Sequence, residues 1–208
     1  MPEAVPKRGL LVDFGGVLTS SVFASFEAFC EAEGLSRDSV RDAFMRNPMA
    51  RELLFDFELG RIEAGPFEER FAAVLEVERH EGLVDRLFAG MTSDEAMIEA
   101  VIAAKRAGVR TGLISNSWGT GTSYERDRFP KMFDGVVISA EEGMRKPDPA
   151  IYALGAQRIG LEPEDCVFVD DLPGNLKPAR ALGMATVHHT TADATVPQLE
   201  ELLGVALR

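Results

Sequence analysis

The sequence predicts an α/β fold built on a parallel sheet, and three observations carry that reading. Five short apolar segments are spread along the chain, helical patterns separate the last four of them, and a long stretch without a strand follows the first. Strands that read as continuous apolar runs are buried on both faces, as in parallel sheets covered by helices on each side. Strand and helix alternation then implies right-handed crossovers.

The five segments are Leu10 to Phe14, Arg110 to Asn116, Gly135 to Ala140, Cys166 to Asp171 and Ala185 to His189. Ser93 and Asp94 open a helix carrying Ala96, Ile98, Val101, Ile102 and Ala104. A second helix has Asp148 as its N-cap and Pro149 in its first turn, and ends near Gly160. A third runs from Pro173 through Ala181 and stops at Gly183. Between the first two strands, Ser20 to Met91 shows helical periodicity. Phe23, Phe26, Phe29 and Cys30 fall on one helical face and Phe67, Phe71, Val74 and Leu75 on another, a spacing that packs the segment's own core.

Composition bounds the possibilities. The 208 residues, 46% of them apolar, suffice for one globular domain with an inserted subdomain. No apolar run approaches a membrane span, and MPEAVPKR leads into the first strand without a signal-peptide core, so a cytoplasmic protein is expected. Cys30 and Cys166 are far apart and outside any CxxC pair, which makes them reduced packing residues. A formal charge of -12 opposes binding to nucleic acid or anionic lipid, while leaving room for a small anion in a locally positive pocket. A homodimer is the default expectation for assembly.

Ligands of open parallel sheets collect outside the carboxyl ends of the strands. The first strand ends in Asp13, within LLVDFGGVLTS, where glycines allow a tight turn and close backbone approach. The second ends in Ser115 and Asn116, a hydroxyl and an amide able to hold an anionic oxygen. Lys146, in RKPDPAIY, brings a positive charge just before the capped helix. The fourth strand ends in Asp170 and Asp171 after the apolar run CVFV. Taken singly, each has an ordinary explanation as turn, loop or surface chemistry. Two acids closing a buried strand are costly without a cation, and oxygen-only ligands with no cysteine or histidine cluster suit Mg²⁺. Nucleophile, metal, hydroxyl and cation are together what phosphoryl transfer requires.

The order Asp13, Ser115, Lys146 and Asp170/Asp171 resembles the four motifs of the haloacid dehalogenase superfamily, over nearly the whole chain. SNSW, RKPDPAIY and VFVDDLPGNLKPARALGM are similar to stretches in the N-terminal phosphatase domain of soluble epoxide hydrolases and related bacterial proteins. The resemblance implies a Rossmann-like core, residues 1–19 and 92–208, and a small helical cap, residues 20–91. It also implies a magnesium-dependent phosphatase acting on a small phosphorylated metabolite. In that scheme Asp13 is the nucleophile, Ser115 and Asn116 hold the phosphoryl group, and Lys146 neutralises both. Asp171 and Asp13 ligate Mg²⁺, Asp170 supports the metal or its waters, Gly15 contributes its backbone carbonyl, and Asn175 orders the last loop.

The departure is Gly15, where phosphatases of this superfamily usually carry a second Asp that protonates the leaving group and activates water. A missing general acid costs about 10²- to 10⁴-fold. Three alternatives stay open beside the phosphatase. Haloacid dehalogenases also lack that Asp but do not use Mg²⁺, against which the Asp170/Asp171 pair argues. Phosphonate cleavage needs a cap lysine, and Ser20 to Met91 contains none. A non-catalytic protein of this fold that binds a phosphorylated metabolite or a partner is the third. Arg46, Arg51 and Arg61 are candidates for contacting a substrate, although solvated helix positions are the commoner fate of arginine.

Overall fold

The structure is a computed structural model describing residues 6–118, 124 and 126–208, so residues 1–5 of the expected core lie outside it. Its sheet has five strands: β1 (Gly9–Val12), β2 (Arg110–Ser115), β3 (Gly135–Ile138), β4 (Cys166–Asp170) and β5 (Ala185–His188). Their order is β3-β2-β1-β4-β5, and every pairing is parallel. Each strand lies where the apolar runs predict. Each ends one or two residues earlier than those runs.

β1 is central and buried along its length. Its side chains alternate with the pleat: Leu10 and Val12 join a cluster with Val101, Leu113 and Leu199, while Leu11 joins Ile114, Ile151 and Phe168 on the other face. Both faces are therefore dry. The chain leaves β1 toward β2 and β3, then returns to place β4 on its other side. The gap between β1 and β4 is thus the switch point where a doubly wound sheet offers a crevice.

Eleven helices are present among the described residues. α1 (Val22–Ala32), α2 (Ser39–Arg46), α3 (Pro48–Glu58), α4 (Ala64–Leu75), α5 (Leu83–Phe88) and α6 (Glu95–Arg106) lie between β1 and β2. α7 (Phe129–Met132), α8 (Ser139–Glu142), α9 (Pro149–Arg158), α10 (Pro173–Ala181) and α11 (Ala192–Leu203) complete the set. The expected caps form: Asp94 Oδ1 accepts from Met97 N at 3.0 Å and Asp148 Oδ1 from Ala150 N at 2.9 Å.

Helices α1 to α5 share an apolar cluster containing Phe26, Phe29, Phe44, Phe57, Phe67 and Phe71. The chain enters and leaves this helical segment through adjacent crossings. Ser20 N donates to Thr92 O at 2.8 Å and Asp94 N to Leu18 O at 2.9 Å. Trp118, two residues past Asn116, reaches from the sheet side into the helical cluster. Its ring lies 5.0 Å from Phe88, 5.6 Å from Phe26 and 5.7 Å from Phe44.

Candidate active site

Asp13 follows β1 directly, and its N–H still donates to Val169 O of β4 at 2.9 Å. The side chain is only 8% exposed, and Oδ1 accepts from Phe14 N at 2.7 Å. The turn beyond it depends on Gly16, whose φ of 75° is left-handed. A Cβ there would come 2.4 Å from Asp171 Oδ2, so the glycine also lets the Asp171 carboxylate close over the turn.

Lys146, 1% exposed, spans the switch point. Its Nζ lies 2.7 Å from Asp13 Oδ1 and 2.8 Å from Asp170 Oδ2, joining the ends of β1 and β4 through one buried ammonium. Asn116 fixes that lysine in an unforeseen way. Its Oδ1 accepts from Lys146 N at 2.8 Å and its Nδ2 donates to Lys146 O at 3.1 Å, so the side-chain amide clamps the lysine's main chain. Ser115 Oγ sits 2.9 Å from the Tyr124 hydroxyl.

The twin acids divide their work. Asp170 is fully buried and saturated by protein donors: Lys146 Nζ, Leu172 N at 2.8 Å, and Asn175 Nδ2 at 3.0 and 3.1 Å from its two oxygens. Asp171 instead lines the cavity with Asp13, Gly15, Ser115, Asn116 and Lys146. One oxygen from each of Asp13, Asp170 and Asp171 falls within 4.8 Å of the others. Asp13 and Asp171, with Asp170 close behind them, offer the hard oxygen donors that fit Mg²⁺ or another hard divalent cation. The structure brings these three carboxylates together, and Asn175 donates to both oxygens of Asp170.

Charge and burial compete here. Burial opposes the Lys146 ammonium, but Asp13 and Asp170 outweigh it and hold its pKa above the ordinary lysine value. Burial drives the Asp13 carboxyl upward, with Lys146 pulling the other way and Asp170 adding to the rise. Asp171 is pushed up to about 6, first by burial and then by Asp170. Three crowded carboxylates with one ammonium therefore favour uptake of a cation or a proton.

Above the cluster lies a cavity of about 610 Å³ with a largely apolar wall, including Phe23, Phe26, Phe44, Phe55 and Trp118. Four of the exposed large apolar side chains, Phe23, Met45, Phe55 and Leu172, line it as well. Of the three candidate arginines, Arg46 pairs with Asp42 at 2.9 Å and Arg61 with Asp56 at 3.2 Å, while Arg51 faces the cavity without an ion-pair partner among the described residues. His188 Nε2 donates to Asp171 O at 3.0 Å, and His189 is buried against Thr195.

Three features at the site escape sequence reasoning. Glu58, at the end of α3, is 5% exposed, ion-paired with Arg145 and driven upward in pKa by burial. Its carbonyl accepts from Ser139 Oγ at 2.5 Å, so the side chain ties the helical segment to Arg145, beside Lys146, and the main chain ties it to the start of α8. Trp118 is the last residue of the SNSW stretch, a signal that could have marked it. Tyr124 lies among small and polar residues without periodicity and gives no such signal.

A doubly wound α/β sheet thus carries Asp13, the buried Lys146 and the Asp170/Asp171 pair at its switch point. The chain matches the model of haloacid dehalogenase-like hydrolases over residues 7–183 and belongs to that family. It is 32% identical to mouse acyl-CoA dehydrogenase family member 10 over 96% of its length, and 36% identical to pig bifunctional epoxide hydrolase 2 over 53%. It spans only 19% and 21% of those relatives' lengths. Hexitol phosphatase A of Escherichia coli is 28% identical, covering 94% of this chain and 88% of the relative. Among solved structures, a HAD-like family hydrolase from Porphyromonas gingivalis superposes with a TM-score of 0.72 at 25% identity, over 96% of this chain and 98% of that one. A HAD family enzyme from Bacteroides thetaiotaomicron, solved as a magnesium complex, shares the fold with a TM-score of 0.66 at 18% identity, over 90% and 95% of the two chains.

Proposed function

We propose that the chain is a Mg²⁺-dependent phosphatase that hydrolyses a monophosphate ester through an aspartyl-phosphate on Asp13, with the helical segment serving as its cap. The observation that carries this reading is the buried chain Asp13–Lys146–Asp170, with Asp171 beside it and a cavity above. Relatives named as phosphatases and a neighbour solved with magnesium support it.

The residues divide the chemistry. Asp13, held by Phe14 N–H and Lys146, presents its carboxylate in one orientation, which removes much of the entropic cost of attack on phosphorus. Lys146 offsets the charge of nucleophile and phosphoryl group together, and Asn116 and Asp170 keep it there. The Ser115 hydroxyl faces the same cavity and can donate to a phosphoryl oxygen. Asp13, Asp171 and the Gly15 carbonyl would hold Mg²⁺, with Asp170 supporting them; when bound, the ion neutralises phosphoryl oxygens and relieves the carboxylate crowding.

The cavity wall favours an ester whose alcohol part is apolar over a sugar or polyol phosphate. Hydroxyls placed against Phe26, Phe44, Phe55 and Trp118 lose water without gaining hydrogen bonds, whereas each methylene buried there contributes about 0.8 kcal/mol. One panel tests both halves of the proposal: p-nitrophenyl phosphate, n-alkyl phosphates of increasing length and hexose phosphates, each with Mg²⁺ and with EDTA. The expected outcome is phosphate release that EDTA removes and excess Mg²⁺ restores, with kcat/KM rising up to about fourfold per methylene. Release indifferent to chelation sinks the metal role, and a preference for hexose phosphates sinks the apolar substrate.

A further inference from the structure

Phosphatase chemistry at this site lacks a proton donor, and the fold has closed the position that would supply one. A Cβ on Gly15 would lie 2.9 Å from Val22 Cγ2, so α1 occupies the space a side chain there would need. The donor must come from elsewhere on the cavity wall.

Among the described residues, four groups lining that wall, other than Lys146 and the arginines, can exchange a proton: Asp13, Asp171, Glu58 and Tyr124. Asp13 is the nucleophile in the reading above, and Asp171 belongs to the carboxylate cluster. Glu58 is engaged by Arg145 across the boundary between helical segment and sheet. Tyr124 remains. Its ring is fixed against Phe14, the residue after Asp13, with centroids 4.8 Å apart, and against Phe129 at 6.1 Å. Its hydroxyl is 2.9 Å from Ser115 Oγ. Tyr124 lines the cavity together with Asp13, so the phenol and the attacking carboxylate face the same space.

We propose that the phenol of Tyr124 is the proton donor to the leaving group, in place of the carboxylic acid that Gly15 does not provide. The inference rests on the phosphatase reading. In the first step an Asp13 oxygen forms its bond to phosphorus while the bond from phosphorus to the ester oxygen breaks. That oxygen takes the phenolic proton and departs as an alcohol, leaving a phenolate. In the second step water attacks phosphorus, its proton passes to the phenolate, and Asp13 leaves with the bonding electrons as a carboxylate. The cycle ends with inorganic phosphate and both side chains restored. Burial pushes the Tyr124 hydroxyl up to about 12, which keeps it protonated at neutral pH and so able to donate.

The test is Tyr124→Phe, which removes one oxygen and keeps the ring packing against Phe14 and Phe129. Turnover of p-nitrophenyl phosphate, whose leaving group departs without a proton, is expected to fall less than about threefold, and that of an n-alkyl phosphate at least about 10²-fold. A plot of log kcat against leaving-group pKa therefore steepens. Equal losses for both esters would assign the hydroxyl to holding Ser115 and overturn the proposal, as would no loss for either. A wild type inert toward both esters in Mg²⁺ overturns the phosphatase reading and this inference with it. A wild type active on both, with a variant reduced uniformly or not at all, overturns this inference alone.

Discussion

Asp13→Asn is expected to lower phosphate release by at least about 10³-fold while leaving the fold intact. The neutral carboxamide oxygen is a poor nucleophile toward phosphorus, and the variant cannot form the acyl phosphate from which water releases product. The structural cost is small because the amide oxygen can still accept from Phe14 N–H, and Lys146 keeps its 2.8 Å contact with Asp170. In EDTA the variant should melt no lower than the wild type, since a carboxyl whose ionised form burial disfavours has been made permanently neutral. In Mg²⁺ the order should reverse, because stabilisation by a ligand scales with its affinity for the folded state and the wild type keeps the missing donor. Calorimetric scans with and without metal, beside an activity assay, read all three effects. Hydrolysis that survives in the variant would remove the covalent mechanism.

The elements that sequence reasoning located share one property: their cause is local or repeats with a fixed period. β1 and β4 are legible because strands covered on both faces must be apolar throughout, and Asp94 and Asp148 mark helix starts because a cap acts within three residues. Chain order exposes the site for a related reason. The carboxyl ends of β1, β2 and β4 meet at one switch point, so Asp13, Ser115 and Asp170 converge once the sheet is assumed parallel. What stayed hidden depends on pairings across long sequence separations. The Glu58–Arg145 ion pair joins residues 87 apart, and the clamp of Asn116 on Lys146 joins residues 30 apart. Asn116 at the end of β2 reads as an anion-binding amide, and only the approach of the Lys146 loop commits its side chain to that backbone. Tyr124 combines both difficulties, since its meaning comes from Phe14 and Ser115 and no pattern in its own neighbourhood points there.

Lys146→Met should impair folding and catalysis together, in a manner that depends on pH. Methionine fills similar space without charge, so Asp13 loses its only ammonium partner among the described residues, and Asp170 retains just Asn175 and the Leu172 N–H. Removing one member of a buried ion cluster costs about 3–5 kcal/mol, because the remaining charge has neither water nor a counter-ion. The sign of the pH dependence follows from Asp13. Burial already holds its folded pKa above the ordinary value of about 3.9, and Lys146 opposes that rise, so the substitution lifts it further. A carboxyl with a raised folded pKa carries its full stability cost above that pKa and sheds it as pH falls toward the unfolded value. The wild-type carboxyl is already held up at about 8, so the two proteins differ in this cost only above that value, and urea denaturation without metal should show a larger gap between variant and wild type at about pH 9.5 than at about pH 7. Phosphate release at pH 8 should fall at least about 10²-fold, since a fixed charge facing the phosphoryl oxygens is gone. The same gap in stability at both pH values would mean that Lys146 acts by packing alone, and the electrostatic account of Asp13 would fall with it.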